Sequence, residues 1–347
     1  MSSDSNFKPL STPIPIKEQS WPEETQPVLC TTTYAFNHQA YIRECIDSIL
    51  MQKTTFPVRI CIHDDASTDQ TAAIIREYQE AYPGVIWAYF QKVNTFRHPD
   101  KIKLQSAYRS WMEAGKYIAM CEGDDYWLDP LKLQKQVQIL EQNPDIFLCA
   151  HDVEIVHEGV SAPKRERFYD VPYEGDFLFD FNDYFTNHFF HTNSRVFRVP
   201  KDLALYHKLL KRPDSADILT NQWFLSMGKG YYSAEKMAFK RRNAAGMTNS
   251  AMYYNRDFRL LVRYNLVKDI ATFAPAPMHS RVRQVMAEVE RQLFKRKFRL
   301  GKLGAAARFG GLAMVHDPLW IFRKITENAF LIHWLTLVYL VDKLWLG

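Results

Sequence analysis

A short acidic run, Cys-Glu-Gly-Asp-Asp-Tyr-Trp at residues 121–127, follows directly on the apolar segment 117–120. Carboxylates at the end of a buried strand must be desolvated or paired, so they indicate a charged ligand rather than a structural gain. Oxygen ligands of this kind suit a hard divalent cation such as Mg²⁺ or Mn²⁺, with phosphate oxygens completing its coordination. The alternative is an acidic turn ahead of the helix that begins near Pro130.

Two other polar segments lie at the same kind of position. Residues 31–34 end one apolar run, and the turn 64–69 (Asp-Asp-Ala-Ser-Thr-Asp) follows another. In a parallel α/β sheet, ligands bind beyond the carboxyl ends of the strands. Each segment alone is compatible with an ordinary polar turn, but three of them at one sheet edge predict a binding site there.

Alternating strand and helix patterns position these segments, and they predict an α/β fold with a parallel sheet covered by helices. Asn37 is predicted to cap the first helix. After residue 150 the alternation is less regular, and from Arg256 the pattern is helical. The predicted strands span residues 28–33, 58–62, 85–90, 117–121, 146–150, 194–199 and 231–239, and a helix is predicted over 218–227.

The composition is that of an ordinary globular protein with one large or two smaller domains: 347 residues, 47% hydrophobic, 24% charged, net charge +5. The first half of the sequence has no cluster of Lys and Arg typical of nucleic-acid binding, so no nucleic-acid partner is expected. The five cysteines lack metal-ligand spacing and are predicted to be buried, reduced thiols of a cytoplasmic protein. Residues 1–26, rich in Ser, Pro, Thr and Glu, are predicted to form a flexible lead without a signal-peptide core.

Segments 28–37, 60–69 and 122–127 together resemble, in order and spacing, a family 2 glycosyltransferase of the GT-A fold over roughly residues 27 to 250. The resemblance implies a Rossmann-like, mostly parallel sheet flanked by helices. It also implies an inverting enzyme of the bacterial surface-polysaccharide type. Such an enzyme moves a sugar from a nucleotide-sugar donor, typically a UDP-sugar, to a glycan or lipid-linked glycan, usually with Mg²⁺ or Mn²⁺.

The same resemblance implies a domain organisation. Residues 1–26 would be the lead, 27–150 the nucleotide-sugar-binding half, 151–250 the acceptor-binding half and 251–347 a helical C-terminal extension.

The resemblance also assigns site residues. Asp65 would accept a hydrogen bond from the base, typically uracil. Asp124 would ligate the cation, with Glu122 facing ribose or metal and Asp125 close by. The nucleotide-binding set implied in this way is Thr32, Thr33, Tyr34, Asp65, Glu122 and Asp124.

An inverting transfer needs a general base for the acceptor hydroxyl. The best positional match is Asp217, which opens the predicted helix 218–227, and Asp214 lies three residues upstream. An acid favoured by the helix dipole is the alternative reading of Asp217.

One segment departs from the family pattern. Where many relatives carry a Tyr-Arg-x-His-like segment, this chain has Phe-Lys-Arg-Arg-Asn at 239–243. Arg241 and Arg242 are predicted to meet the diphosphate. A His ligand at this position is missing, and His188 and His191 are not assigned to the metal site.

The C-terminal hundred residues predict a further contact. Residues 281–302 contain eight Lys or Arg against two Glu, and segment 330–341 is strongly apolar but short for a transmembrane helix. This combination predicts peripheral binding at the inner face of a membrane. Packing on the catalytic domain or on a second copy, as a homo-oligomer, is the alternative. One helical face is predicted to be apolar: Val282, Val285, Met286, Val289 and Leu293.

Two rival functions remain from sequence. A sugar-nucleotide nucleotidyltransferase would share the architecture and the metal, but it usually has a Gly-rich, basic loop after the first strand, which is absent here. A degenerate GT-A protein that binds glycan or a partner without turnover is the non-enzymatic rival. A dinucleotide-dependent enzyme is disfavoured because residues 34–37 lack the Gly-rich fingerprint.

Overall fold

The computed structural model describes residues 7–158, 171–212, 214–243 and 255–317. The chain divides into two compact units, Met1–Ala244 and Ala245–Gly347. The predicted apolar segment 330–341 lies outside the described residues. The predicted division at residue 150 into donor and acceptor halves stays a functional prediction.

The first unit is an α/β structure. Its described strands are β1 (Ile14–Pro15), β2 (Leu29–Ala35), β3 (Lys53–Thr54), β4 (Val58–Asp64), β5 (Ile86–Phe90), β6 (Tyr117–Met120), β7 (Tyr126–Trp127), β8 (Ile146–Glu158), β9 (Phe177–Phe179), β10 (Val196–Arg198) and β11 (Lys229–Asn243). Its described helices are α1 (Ile42–Leu50), α2 (Thr71–Ala81), α3 (Lys101–Leu104), α4 (Ser106–Met112), α5 (Lys132–Gln142), α6 (Phe181–Thr186), α7 (Ala204–Leu209) and α8 (Ala216–Met227).

The main sheet has the order β5-β4-β2-β6-β10-β8-β11-β7, with β9 pairing on β11, while β1 and β3 form a separate pair. Strands β5, β4, β2 and β6 run parallel, as the alternation predicts. Strand β10 is reversed between β6 and β8, and β11 is again parallel to β8. The sheet is therefore mixed but mostly parallel, and the three polar strand ends belong to its parallel part.

Helix α1 shows why these segments fold as they do. Ile42, Ile46 and Ile49 recur at helical spacing and are fully buried against the sheet. Burying each such side chain stabilises the fold by about 1.5–3 kcal/mol. The prediction that Asn37 caps this helix is wrong: α1 begins at Ile42, five residues after Asn37, and its N-cap is Tyr41. Asn37 instead adopts a left-handed conformation, with φ of 56°, and its side-chain oxygen accepts from the Thr68 backbone at 2.8 Å.

Strands β8 and β11 are much longer than the sequence pattern predicts. They pair in parallel from Ile146 and Lys229 to the ends of both strands, with shifts in register at Lys229/Gly230 and between Ser233 and Ala238. The mutual pairing satisfies the backbone groups of both strands over stretches rich in polar residues, such as 240–243 of β11. As a result, β11 extends to β7 and carries the basic residues of segment 239–243 to the acidic run.

All five cysteines are buried and free, as predicted. Lys132 is also fully buried. Its Nζ donates to Gln136 Oε1 at 2.8 Å and lies 4.2 Å from the centre of the Trp127 ring. Within the part of the chain described above, no carboxylate forms an ion pair with it. Burial therefore lowers the pKa of Lys132 to about 7.

This lysine predicts a pH dependence of stability. Because its pKa is lowered in the folded state, the unfolded chain binds more protons between pH 7 and about 10. The free energy of unfolding should therefore rise with pH across that window. Lys132→Met should flatten this slope and raise the melting temperature at pH 7. Urea unfolding at pH 7 and pH 9 measures the change in the free energy of unfolding with pH. Lys135→Met, a control at a partly exposed position in the same helix, should keep the wild-type slope. Equal slopes in wild type and Lys132→Met would contradict the assignment.

The second unit is helical in its described residues, as predicted from Arg256. It contains α9 (Arg256–Ile270), α10 (His279–Arg299) and α11 (Leu303–His316). The predicted apolar face of α10 is confirmed, because Val282, Met286, Val289 and Leu293 are buried and Val285 packs beside them. Among the described residues, no helix has both the length and the apolar character needed to cross a bilayer.

Candidate active site

The carboxyl ends of β2, β4 and β6 meet at one edge of the sheet, tied together by backbone hydrogen bonds. Asp65 N donates to Ala35 O at 2.9 Å, and Gly123 N donates to Tyr34 O at 3.1 Å. A Cβ at Gly123 would come within 2.7 Å of the His38 ring, so only glycine permits this close approach. The three polar segments predicted from sequence are therefore neighbours in space.

The threonines of β2 are buried more deeply than a pocket lining requires. Thr32 and Thr33 are 2% and 0% exposed, because β2 is a central strand covered on both faces. The Thr32 hydroxyl forms its hydrogen bond with the Tyr108 hydroxyl. Tyr34 alone of the predicted trio is partly exposed. The two threonine side chains therefore lie beneath the site in this conformation, and Tyr34 is the one placed to contact a ligand.

The two carboxylate oxygens of Asp65 differ in their hydrogen bonding. Its Oδ1 accepts from the backbone N and the hydroxyl of Thr95, at 2.7 and 2.6 Å. Gln105 donates to the Thr95 hydroxyl at 2.7 Å and accepts from Arg109 at 2.9 Å, which fixes the arrangement. Oδ2 accepts no hydrogen bond from the described residues. The neighbouring Asp64 has another task, since it accepts from the Ser67 backbone at 3.2 Å and supports the turn.

The acids of the 121–127 run have different environments. Asp125 is 1% exposed and accepts from Asn193 Nδ2 at 3.1 Å and from the Arg241 backbone N at 2.8 Å. It therefore joins the acidic run to β11. Glu122 and Asp124 are partly exposed. The carboxylate of Asp124 accepts no hydrogen bond from the described residues, and its role as a cation ligand stays a prediction.

Two residues that sequence reasoning did not assign complete the cluster. Lys240 Nζ lies 3.6 Å from Asp125 Oδ2 and 3.8 Å from Glu122 Oε2. His191 lies between the same acids, with Nδ1 3.7 Å from Asp125 and Nε2 3.9 Å from Glu122. The sequence feature that could have indicated Lys240 was the difference between segment 239–243 and the family pattern. Nothing in the spacing of His191 distinguished it from a structural histidine.

Burial and charge set the protonation of this cluster. Desolvation raises the pKa of Asp125 and of Glu122, and Lys240 partly offsets both shifts. Burial alone would lower the pKa of Lys240, but the carboxylates of Asp125 and Glu122 raise it above its usual value. Burial, followed by repulsion from Lys240, holds the pKa of His191 well below its ordinary range. The imidazole is therefore neutral at pH 7, and its Nδ1 accepts from the Asn193 backbone N at 3.3 Å.

The donor set fits a hard divalent cation. Ligand atoms of Glu122, Asp125 and His191 all lie within 4.8 Å of one another. Carboxylate oxygens with a neutral imidazole suit Mn²⁺ or Mg²⁺. Lys240 lies beside both acids of this group. Asp124, the cation ligand predicted from sequence, is not one of its three members and is partly exposed.

The carboxylates of Asp217 and Asp214 differ in their exposure and in their ion pairing. Asp217 is exposed in the first turn of α8, and its charge contributes to the raised pKa of Glu122. Its backbone carbonyl, not its carboxylate, accepts from the buried Arg195 at 3.2 Å. Asp214 forms an ion pair with Arg97 at 3.0 Å. Asp217 is therefore the more available of the two predicted bases.

The predicted diphosphate contact at Arg241 is not supported. Arg241 is 7% exposed, bonds Asp124 O at 2.9 Å and Glu44 Oε2 at 2.5 Å, and lies over the Tyr41 ring at 4.7 Å. Its guanidinium is used to hold the acidic run in place. Arg242 is partly exposed. Lys240, from the same segment, is the basic residue that lies beside the acids.

Solved structures share this fold. S. aureus TarS residues 1–349, in complex with UDP, matches with a TM-score of 0.54 at 15% identity, over 84% of this chain and 81% of that chain. At this identity the likeness shows the fold alone. Fold and site together define a GT-A α/β protein with an acidic rim suited to a cation.

The sequence comparisons give the family. The model described as Glycosyl transferase family 2 matches residues 32–203. An uncharacterised protein of Mycobacterium tuberculosis is 35% identical over 233 residues, covering 65% of this chain and 61% of that protein. The dTDP-rhamnosyl transferase RfbG of Shigella flexneri is 34% identical over 92 residues, 26% of this chain and 31% of that protein. The chain thus spans less than two thirds of the length of these relatives, and the part of it that matches the family model, residues 32–203, belongs to glycosyltransferase family 2.

Proposed function

We propose that this chain is an inverting glycosyltransferase. It moves a sugar from a uridine diphosphate sugar to a hydroxyl of a glycan or lipid-linked glycan, assisted by Mg²⁺ or Mn²⁺. The observation that carries the proposal is the pair of carboxylates that follow β4 and β6, the strands on either side of β2: Asp65 and Asp124. Lys240 lies beside Glu122 and Asp125 of the same acidic run. The acceptor class rests on the resemblance to bacterial surface-polysaccharide enzymes.

The open oxygen of Asp65 supports a pyrimidine donor. Each carboxylate oxygen has about two lone-pair sites, and Thr95 occupies both at Oδ1. Oδ2 can then accept from the single N3–H of uracil or thymine. Guanine presents two adjacent donors and is matched best by two free oxygens. The names of the relatives agree with this preference, since RfbG is a dTDP-rhamnosyl transferase and TarS was solved with UDP and with UDP-GlcNAc.

The acidic rim has a role at the leaving group. A cation held by Asp124 and Glu122 would neutralise the charge that develops on the departing diphosphate. Lys240 adds a fixed positive charge beside Glu122 and Asp125, which favours approach of the anionic donor.

The transfer step uses the exposed carboxylate of Asp217. The acceptor oxygen attacks the anomeric carbon and forms the new glycosidic bond as the bond to the diphosphate breaks. Asp217 takes the acceptor proton, and the nucleoside diphosphate leaves with the electron pair. Attack from the face opposite the leaving group inverts the anomeric configuration. Arg195 supports this geometry by fixing the first turn of α8.

Asp65→Ala is expected to weaken UDP binding about 10- to 150-fold, which corresponds to the 1.5–3 kcal/mol of one hydrogen bond to a charged group. Calorimetric titration with UDP, dTDP and GDP measures the effect. Wild type should bind UDP and dTDP more tightly than GDP.

Thr95→Val is the matched control, because it removes one contact to Oδ1 and leaves Oδ2 unchanged, so UDP affinity should change little. GDP binding as tight as UDP, or unchanged UDP affinity in Asp65→Ala, would overturn the donor assignment.

A further inference from the structure

The turn between α10 and α11 exposes three large apolar side chains within six residues. Phe298, Leu300 and Leu303 are 41%, 43% and 53% exposed. Single exposed apolar residues are common on soluble proteins, but three exposed within one turn favour an interaction surface. We call residues 298–303 the α10–α11 turn.

Cations surround this turn. Lys295, Arg299 and Lys302 are exposed and form no ion pair within the described residues. Arg296 and Lys297 are engaged by Asp257, at 2.5 and 3.0 Å. From residue 291 to residue 316 the sequence contains no Asp or Glu. The apolar group is thus bordered by three available positive charges and no negative charge from its own segment.

The turn is held rigidly in this exposed form. Gly301 has a φ of 67°, its N donates to Phe298 O at 3.0 Å, and Lys302 N donates to Lys297 O at 3.0 Å. This is the Schellman pattern, in which an apolar residue after the glycine usually packs back on the helix. Lys302 occupies that position here. The Phe294 ring packs closely on Gly310 of α11, because a Cβ at Gly310 would come within 3.1 Å of the ring. This contact joins the two helices next to the turn.

We propose that the α10–α11 turn binds the surface of an anionic phospholipid bilayer. Its three apolar side chains enter the boundary between headgroups and acyl chains, and the three cations meet lipid phosphates. Charge complementarity favours this occupant over a protein surface, because Lys295, Arg299 and Lys302 border an apolar centre. The surface is independent of the proposed transferase activity and places the protein where lipid-linked molecules are found.

Vesicle flotation of the full-length protein tests the proposal. Vesicles of phosphatidylcholine, with and without phosphatidylglycerol, are compared at low and high salt. Wild type should float with the anionic vesicles at low salt and be released by salt. The triple variant Phe298→Ser/Leu300→Ser/Leu303→Ser should bind at least about tenfold more weakly. Arg299→Gln/Lys302→Gln should lose about fivefold per cation on anionic vesicles only.

Leu261→Ser is the matched control, because Leu261 is 38% exposed on α9 and lies outside the turn; it should float as wild type does. Circular dichroism melts establish that each variant is folded. A triple variant that floats like wild type would assign lipid binding to another part of the chain and overturn the proposal. So would a wild type that fails to float but forms, by light scattering, a dimer that the triple variant dissolves.

Discussion

Asp217→Asn is expected to lower the rate of sugar transfer about 10²- to 10⁴-fold while UDP affinity stays unchanged. Asparagine keeps the shape of the side chain but cannot take the acceptor proton. The contact that fixes the first turn of α8 runs from Arg195 to the backbone carbonyl of residue 217, so the substitution leaves it in place. Initial rates with donor and acceptor, together with calorimetry of UDP binding, measure both quantities.

The control for this prediction is Asp214→Asn. Asp214 is held in an ion pair with Arg97, so it should not serve as the base, and its variant should keep a rate near that of wild type. A normal rate in Asp217→Asn with a large loss in Asp214→Asn would move the role of base to Asp214.

Asp124→Asn is expected to remove cation-dependent donor binding and to lower turnover roughly 10²-fold or more, because stabilisation of the leaving diphosphate by a cation contributes several kcal/mol. Its carboxylate accepts no hydrogen bond from the described residues, so the melting temperature should change little. Calorimetric titration of Mn²⁺ in the presence of UDP gives the binding loss directly. Retention of wild-type activity without added cation would contradict the metal assignment.

The adjacent acid provides a contrast one residue away. Asp125 accepts from Asn193 and from the Arg241 backbone, so Asp125→Asn replaces an acceptor with a donor in a buried site. We expect a loss of about 1–3 kcal/mol in the free energy of unfolding. Asp124→Asn should therefore reduce binding with little loss of stability, whereas Asp125→Asn should reduce stability in addition to any loss of cation binding. A lower melting temperature in Asp124→Asn alone would reverse the two roles.

The parallel half of the fold could be predicted from sequence because its signals are local. Apolar runs and helical spacing identify β2, β4, β5 and β6, and parallel pairing brings their carboxyl ends to one edge. Asp65 and Asp124 follow from that placement. Asn37 shows where local reasoning fails, since a capping residue was expected and its side chain is used instead to hold the turn at Thr68.

The second half of the site depends on pairing between distant strands. Lys240 reaches Asp125 because β11 continues along β8 and pairs with β7. The shifts in register in this pairing cannot be predicted from the residue pattern. His191 reaches Glu122 and Asp125 through the loop before the reversed strand β10. Arg241 matched a phosphate-binding segment in sequence, but stacking on Tyr41 and bonding to Glu44 bury it. Such contacts are settled by tertiary packing, which spacing along the chain does not encode.

The most direct test of the account is turnover of a panel of nucleotide sugars by the full-length protein, with and without Mn²⁺ or Mg²⁺. Release of the nucleoside diphosphate and the anomeric configuration of the product, read by proton nuclear magnetic resonance, are followed together. We predict cation-dependent release of UDP from a UDP-sugar, with inversion at the anomeric carbon. Binding of UDP without turnover of any sugar in the panel and with a suitable glycan acceptor present, or transfer with retained configuration, would contradict the account.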